Sequence, residues 1–210
     1  NVRLIVKSDS DNHISYYNVS DVEGTGIYID NNLLNDTYHI NAVFDGDDKY
    51  EGSTADEVIL KVNKVITNLV ISIDNDSINV GDNATLSIEL RDQNNVVLHN
   101  NFIVTVKVNG SNHTVGLVNG KGNFILSVLA NGTYIINAAF AGDAIKYVGN
   151  ISNQVTLKVN KIVTSIDVGV VSPVTYGDVA TITVTMDPSI NDYVVLNVAG
   201  KNYTVAIVNG

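Results

Sequence analysis

The residues in this chain whose type and spacing point most directly to chemistry are asparagines. The triplet Asn-x-Ser/Thr, an acceptor pattern for N-linked glycan, occurs at Asn18, Asn35, Asn75, Asn83, Asn112, Asn131, Asn150 and Asn202. With 29 Asn and 29 Ser or Thr in 210 residues, chance alone places about four such triplets. Two pairs recur in register, Asn35 with Asn131 and Asn112 with Asn202. All of these lie in or near sequences that read as turns, where a bulky glycan points to solvent. The competing structural reading is that Asn before Thr simply makes a good turn into a strand, its side chain bonding the local backbone.

Oxygen-rich runs form a second group. Asp9, Asp11 and Asn12 make one, Asp45, Asp47 and Asp48 another, and Asp74 and Asp76 a third. Calcium takes roughly six to eight oxygen ligands, and none of these runs has EF-hand spacing. The later copy of the Asp45 group, Ala141-Gly142-Asp143-Ala144, has lost two of the three carboxylates. The expectation is turns in which Asp bonds its own backbone. No cofactor or metal is expected, with calcium as the one ion worth testing.

Nucleophilic catalysis needs Ser, His and an acid brought together. Here His13, His39, His99 and His113 are scattered, with no nucleophile motif beside them. His39 stands where the later copy has Ile135, and His113 where a further copy has Tyr203. No phosphate-cradling glycine loop and no zinc-ligand spacing is present. The expectation is a non-enzyme with no catalytic residue. Lys61 and Lys158 recur, as do Asn63 and Asn160, the residue types of an internal Lys–Asn crosslink. Strand alternation points both lysines outward, away from a buried reaction site. Tyr16, Tyr17, Tyr193 and Tyr203 are either ordinary strand residues or contact points of a binding face.

What must position these groups is a repeated framework. Asn-Asp-Thr-Tyr-His-Ile-Asn-Ala-Val-Phe-Asp-Gly-Asp at 35–47 returns as Asn-Gly-Thr-Tyr-Ile-Ile-Asn-Ala-Ala-Phe-Ala-Gly-Asp at 131–143. Tyr38 and Tyr134 are 96 residues apart, and Leu60 and Leu157 are 97 apart. A fixed period of this size means tandem domains. Tyr134, Ile136, Ala138 and Phe140 alternate with Ile135, Asn137, Ala139 and Ala141, which reads as a strand with one buried face. Ala84, Leu86, Ile88 and Leu90 alternate with Thr85, Ser87 and Glu89 in the same way. Asn109-Gly110, Asn119-Gly120 and Asn131-Gly132 read as hairpin dipeptides.

A complete unit over 65–161 is expected to have strands near 68–74, 83–90, 102–109, 112–118, 122–129, 133–141 and 153–161. Seven short strands in under about 100 residues is the immunoglobulin-like count. Tyr134 opens the sixth behind a tight corner, where its hydroxyl is expected to turn back onto the backbone. Residues 1–64 match the later part of that unit and lack its N-terminal strands. Residues 162–210 match its earlier part and lack its C-terminal strands. The two partial units could complete one another between molecules, but a swapped domain would then hold the stretch equivalent to 101–120 twice. A piece of a longer array is the simpler expectation. The junctions at 60–67 and 157–164 contain no Gly, Pro or Ser-rich spacer, so a stiff, extended string is expected.

Composition fits this setting. The net charge of −10 and the lack of a basic stripe argue against nucleic acid. Acidity of this kind keeps an exposed protein soluble. With no Cys, stability comes from packing, and thiolate metal sites are excluded. No run approaches the ~18 apolar residues of a membrane span, and the first residues form no basic-then-apolar leader.

The pattern Gly-Thr-Tyr-x-Ile-x-Ala-x-Phe-x-Gly-Asp at 132–143, followed by Tyr147 and a Val-x-Leu-x-Val strand, resembles the bacterial immunoglobulin-like repeats of prokaryotic surface proteins. The Asn- and Asp-rich style and the Val-Asn-Lys junctions are similar to the adhesin-like proteins of methanogenic archaea. The resemblance implies an all-β chain of tandem immunoglobulin-like antiparallel sandwiches, an extracellular cell-surface location and a stalk or adhesion role. It brings no catalytic residue. Three functions follow as expectations. The first is a non-enzymatic spacer touching mainly its neighbouring repeats. The second is an adhesion module for a host or partner-cell glycan or protein. The third is a self-associating filament subunit.

Overall fold

Alternation of apolar with polar residues, broken every few residues by Asn, Asp and Gly, leaves this chain no route to a helix. A computed structural model describes residues 2–20 and 23–210, and all regular structure among them is β-strand. The chain falls into two compact units, Asn1–Val159 and Asn160–Gly210.

The first unit begins with one antiparallel sheet. It contains β1 (Val2–Ser8), β2 (Ile14–Val19), β3 (Asp36–Phe44), β4 (Ser53–Thr54) and β5 (Val58–Val62). The order is β2-β1-β3-β4, and β5 also pairs with β3. Ile40 of β3 stands between Val6 and Val58.

The same unit continues with a two-sheet sandwich. Its strands are β6 (Thr67–Ile73), β7 (Ser77–Asn79), β8 (Ala84–Asp92), β9 (Phe102–Val108), β10 (Ser111–Leu117), β11 (Lys121–Leu126), β12 (Gly132–Gly142), β13 (Val148–Ile151) and β14 (Val155–Asn160). One sheet runs β10-β9-β12-β14-β7 with β13 beside β12, and the other runs β11-β8-β6. Both inner faces feed one core. Leu69 and Ile71 of β6 and Leu86, Ile88 and Leu90 of β8 meet Val104, Val106, Ile136, Ala138 and Leu157 from the opposite sheet. The alternation read from sequence is therefore the alternation of burial: Ala84, Leu86, Ile88 and Leu90 are inside while Ser87 is exposed.

Turn chemistry follows residue type. Asn109-Gly110 and Asn119-Gly120 both hold positive φ (45° and 92°, 50° and 73°). They close the β9–β10 and β10–β11 connections as primed turns do. Asn131-Gly132 does not form the expected hairpin. β11 and β12 belong to different sheets, so the chain must cross the sandwich. Val128 takes the left-handed conformation on the way (φ 54°). Tyr134 then donates its hydroxyl to the carbonyl of Ala130 at 3.0 Å. Tyr38 makes the matching contact, donating to the Leu34 carbonyl and accepting from the Leu34 N–H, both at 3.1 Å.

The outer edge of β6 is closed by side chains. Leu69 and Ile71 donate their N–H groups to Oδ1 of Asn150 and Asn153, each at 3.0 Å. Asn153 Nδ2 returns a bond to the Ile71 carbonyl (2.9 Å), and the Thr67 hydroxyl reaches the Val148 carbonyl (2.6 Å). These bonds satisfy backbone groups that a free strand edge would leave open.

The second unit consists of β15 (Ile166–Val170) paired with β16 (Ile182–Met186) and β17 (Asp192–Val198) paired with β18 (Lys201–Ile207), both antiparallel.

Candidate functional site

The acceptor asparagines divide by what their side chains already do. Asn35 and Asn131 donate Nδ2 to the carbonyls of Val62 and Val159 at 2.8 and 2.9 Å. They tie the start of β3 to the end of β5, and the start of β12 to the end of β14. A primary amide has two hydrogens, so one on each remains for a glycan linkage. Asn75 accepts the Ser77 N–H in a local turn (3.1 Å). Asn83 is exposed just before β8, and Asn18 is exposed in β2, an edge strand. Asn112 and Asn202 are exposed at the second positions of β10 and β18, immediately behind the turns at 109–110 and 199–200. Asn202 also accepts from Asn197 (2.6 Å). Asn150 departs from the turn expectation: it is half-buried within β13, with its amide oxygen held by β6.

One further triplet, Asn109-Gly110-Ser111, is hidden in the sequence by its stronger reading as a hairpin dipeptide. The Asn109 side chain bridges to β12, accepting the Ile135 N–H (2.7 Å) and donating to the Thr133 carbonyl (3.2 Å).

The acidic runs fold as turn-formers. Asp11 accepts the His13 N–H (2.9 Å), and that bond leads the lowering of its carboxyl pKa. Asp45 faces Arg3 at 3.5 Å. Asp47 accepts the N–H groups of Lys49 and Tyr50, each at 2.8 Å, and Asp48 is exposed on the same turn. Asp74 accepts the Thr85 N–H (2.8 Å). Among the described residues no group of three or more His, Cys, Asp or Glu is arranged to hold a metal ion.

Two polar constellations near β3 were not legible. His39 lies between Glu57 and Asp9, with Nδ1 2.6 Å from Glu57 Oε1 and Nε2 3.1 Å from Asp9 Oδ1. The Glu57 bond leads in raising its pKa. Both ring nitrogens face carboxylates, so neither is turned to a hydroxyl as a base would be. Asp36 collects the Ser8 hydroxyl (2.5 Å), the Ser10 hydroxyl (2.8 Å), the Ser10 N–H (3.2 Å) and the Thr37 N–H (2.8 Å). The Ser8 bond is the largest influence holding its carboxyl down at about 2.

The repeated Gly-Asp pair is a fold element in both copies. Asp143 gathers the N–H groups of Ile145 (3.0 Å), Lys146 (2.5 Å) and Tyr147 (2.9 Å). The glycine before each Asp holds positive φ, 89° at Gly46 and 78° at Gly142. A Cβ at Gly142 would meet the Gly149 nitrogen at 2.5 Å, and one at Gly46 the Gly52 nitrogen at 2.9 Å. The motif therefore encodes two backbones crossing in contact.

Beside this turn lies an open groove of about 840 Å³ lined by Asn100, Phe102, Ile103, Phe140 and Tyr147 among others. Phe102 meets Phe140 and Tyr147 edge-on, with centroids 5.4 and 5.3 Å apart, and the Tyr147 hydroxyl bonds Asn100 Oδ1 (3.1 Å). It offers an apolar lip with amides at its margin. Of the tyrosines singled out as a binding face, Tyr16, Tyr193 and Tyr203 are exposed. Tyr17 is instead half-buried, stacked on Tyr28 with centroids 4.4 Å apart. Tyr28 is pushed up to about 12, chiefly by burial of its hydroxyl.

No family model and no curated protein matches this chain. Among solved structures, a chain of a 1.5-MDa bacterial ice-binding adhesin, described for its host cell surface retention, matches at 14% identity with a TM-score of 0.39. The match covers 99% of this chain and 72% of that one. A likeness at that TM-score carries no argument about this chain.

Proposed function

We propose that this chain is a non-enzymatic spacer segment of a large extracellular, adhesin-like surface protein, built from immunoglobulin-like repeats at 1–64, 65–161 and 162–210. One observation carries the reading. The residues that recur between copies are engaged in the same internal contacts: Tyr38 and Tyr134 with the chain four residues earlier, Asn35 and Asn131 with Val62 and Val159, and Asp47 and Asp143 with their own turns. A repeat kept for a shared ligand would turn its common residues outward; this one turns them into the framework.

The complete repeat is built to resist pulling. β7 lies beside β14 in one sheet, and the backbone N–H of Lys158 donates to the Asp76 carbonyl at 2.8 Å. Val65 exchanges bonds with the Lys146–Val148 segment at 2.8 and 3.0 Å. Force applied to the two ends of the repeat acts first on these pairs. Single-molecule stretching of the full chain tests this. Unfolding of the complete repeat in one discrete event, releasing roughly 300 Å of chain, is the expected result. Gradual lengthening at low force without such an event would overturn the spacer reading.

A second reading, an adhesion module, draws on the groove at Phe102, where Phe102 meets Phe140 and Tyr147 edge-on. It predicts binding that a Phe102→Ala change removes without lowering the unfolding force.

A further inference from the structure

The turn after β1 and the turn after β9 are joined to the neighbouring strand by different chemistry. Asp9 follows β1 as Asn109 follows β9, and His39 of β3 stands where β12 has Ile135. In the complete repeat the join is an amide. Asn109 donates its backbone N–H to the Ile135 carbonyl (3.0 Å), and its Oδ1 accepts the Ile135 N–H (2.7 Å). In the first sheet the Asp9 N–H donates to the Thr37 carbonyl (3.1 Å), and the side-chain join runs through the His39 ring, whose Nε2 lies 3.1 Å from Asp9 Oδ1. The other ring nitrogen, Nδ1, lies 2.6 Å from Oε1 of Glu57, on the connection between β4 and β5. The later copy has Gln154 in that place. An amide join is blind to pH near neutrality; a join through imidazole is not.

Geometry fixes the proton count. A carboxylate only accepts, and a neutral imidazole has one N–H and one lone pair. Two carboxylates, one at each ring nitrogen, can both be bonded only by the imidazolium. The strands on either side place His39 across from Lys7 of β1 and Ile59 of β5, and Lys7 faces Ile14 of β2. The Glu57 bond leads in raising the ring's pKa above its ordinary 6.5, the charges of Glu57 and Asp9 add to it, and burial and Lys7 oppose them. Asp36, the other acid at this turn, is occupied by Ser8, Ser10 and Thr37.

We propose that Asp9, His39 and Glu57 form a proton-operated latch on the turn at 9–13. With both ring nitrogens protonated, His39 ties that turn to β3 and to the β4–β5 connection. Loss of one proton leaves the remaining N–H on the shorter contact, to Glu57, and turns a lone pair towards Asp9, which is released. Asp36 still holds Ser8 and Ser10, so the turn loosens and does not unfold. Because the folded value lies above the unfolded one, the tie is complete below about 6.5 and is lost as pH rises through the raised value.

The test uses the full 210-residue chain, labelled with ¹⁵N. Proton–nitrogen spectra of the imidazole rings, taken from about pH 5 to about 9, follow each ring nitrogen separately. Both His39 nitrogens should be protonated at the acid end, with a midpoint above 6.5 and the proton kept on Nδ1 at the alkaline end. Hydrogen exchange, corrected for its intrinsic pH dependence, gives the second reading. The Asp9 and Glu57 side chains are 52% and 53% exposed, and for ion pairs this open the protection of the Asp9 amide should fall about two- to fivefold across the midpoint. The Asn109 amide should show no such step. Glu57→Gln should lower the His39 midpoint. His39→Ile, which copies the residue of the later repeat, should abolish the step at Asp9 while exchange in the complete repeat stays as in the parent, which also shows the variant to be folded. A His39 midpoint at or below 6.5 overturns the latch, as does a midpoint unmoved in Glu57→Gln or a neutral ring protonated at Nε2. So does constant protection of the Asp9 amide across a raised midpoint, or an equal step at Asn109.

Discussion

Asp36 shows how one side chain can be settled by its neighbours. Four donors converge on its carboxylate, and its pKa falls from the ordinary 3.8 to about 2. Because the folded value lies below the unfolded one, the stabilisation is complete above about 3.8 and is lost as pH falls through about 2. Carboxyl NMR titration should give a midpoint near 2 in the parent chain and one moved back toward 3.8 in Ser8→Ala; a parent midpoint already near 3.8 would refute the assignment. None of this was visible beforehand, because Ser8 and Ser10 reach Asp36 only through the β1–β3 pairing. The Gly-Asp turns were more legible. Gly beside Asp announces positive φ and a carboxylate bonding its own backbone, and both occur at Gly142-Asp143. The sequence does not announce that Gly142 and Gly149 touch, since that contact depends on where the turn closes.

At the scale of the element, identical alternation has different consequences in the two sheets. Leu157 and Leu60 hold the same place in the repeat, but only Leu157 is enclosed. Leu157→Ala should destabilise the complete repeat by about 2–5 kcal/mol. Leu60→Ala should cost under about 1 kcal/mol, since much of its surface already meets water. Urea titrations of the two variants, read on separate repeats, decide this, and equal losses would contradict the uncovered face. All seven strands expected between 65 and 161 occur within a few residues of their expected bounds. β7 and β13 were missed because three or four residues are too short to show alternation. The supposed hairpin at Asn131-Gly132 was misread because a dipeptide reports local φ preference and not which sheet the next strand joins. Asn150 was read as a turn residue for a related reason: its partner, β6, lies some 80 positions away.

For the whole molecule, the glycan question becomes one of which asparagines are free. Peptide mapping of material from the native source should find added mass at exposed sites such as Asn112, Asn131 or Asn202 and none at Asn150, which is half-buried in β13 with its side chain turned to β6. Modification at Asn150 with the fold intact would contradict the β6–β13 contact. That same contact has a consequence for biosynthesis. Covalently joined sequences this alike face each other at an effective concentration on the order of millimolar while they fold. An open β6 would invite the matching strand of the next copy to pair with it, trapping two half-made sandwiches as one misfolded body. Thr67, Asn150 and Asn153 close that edge with groups from within the same sandwich, so the sandwich of β6 to β14 can complete itself without such a capture.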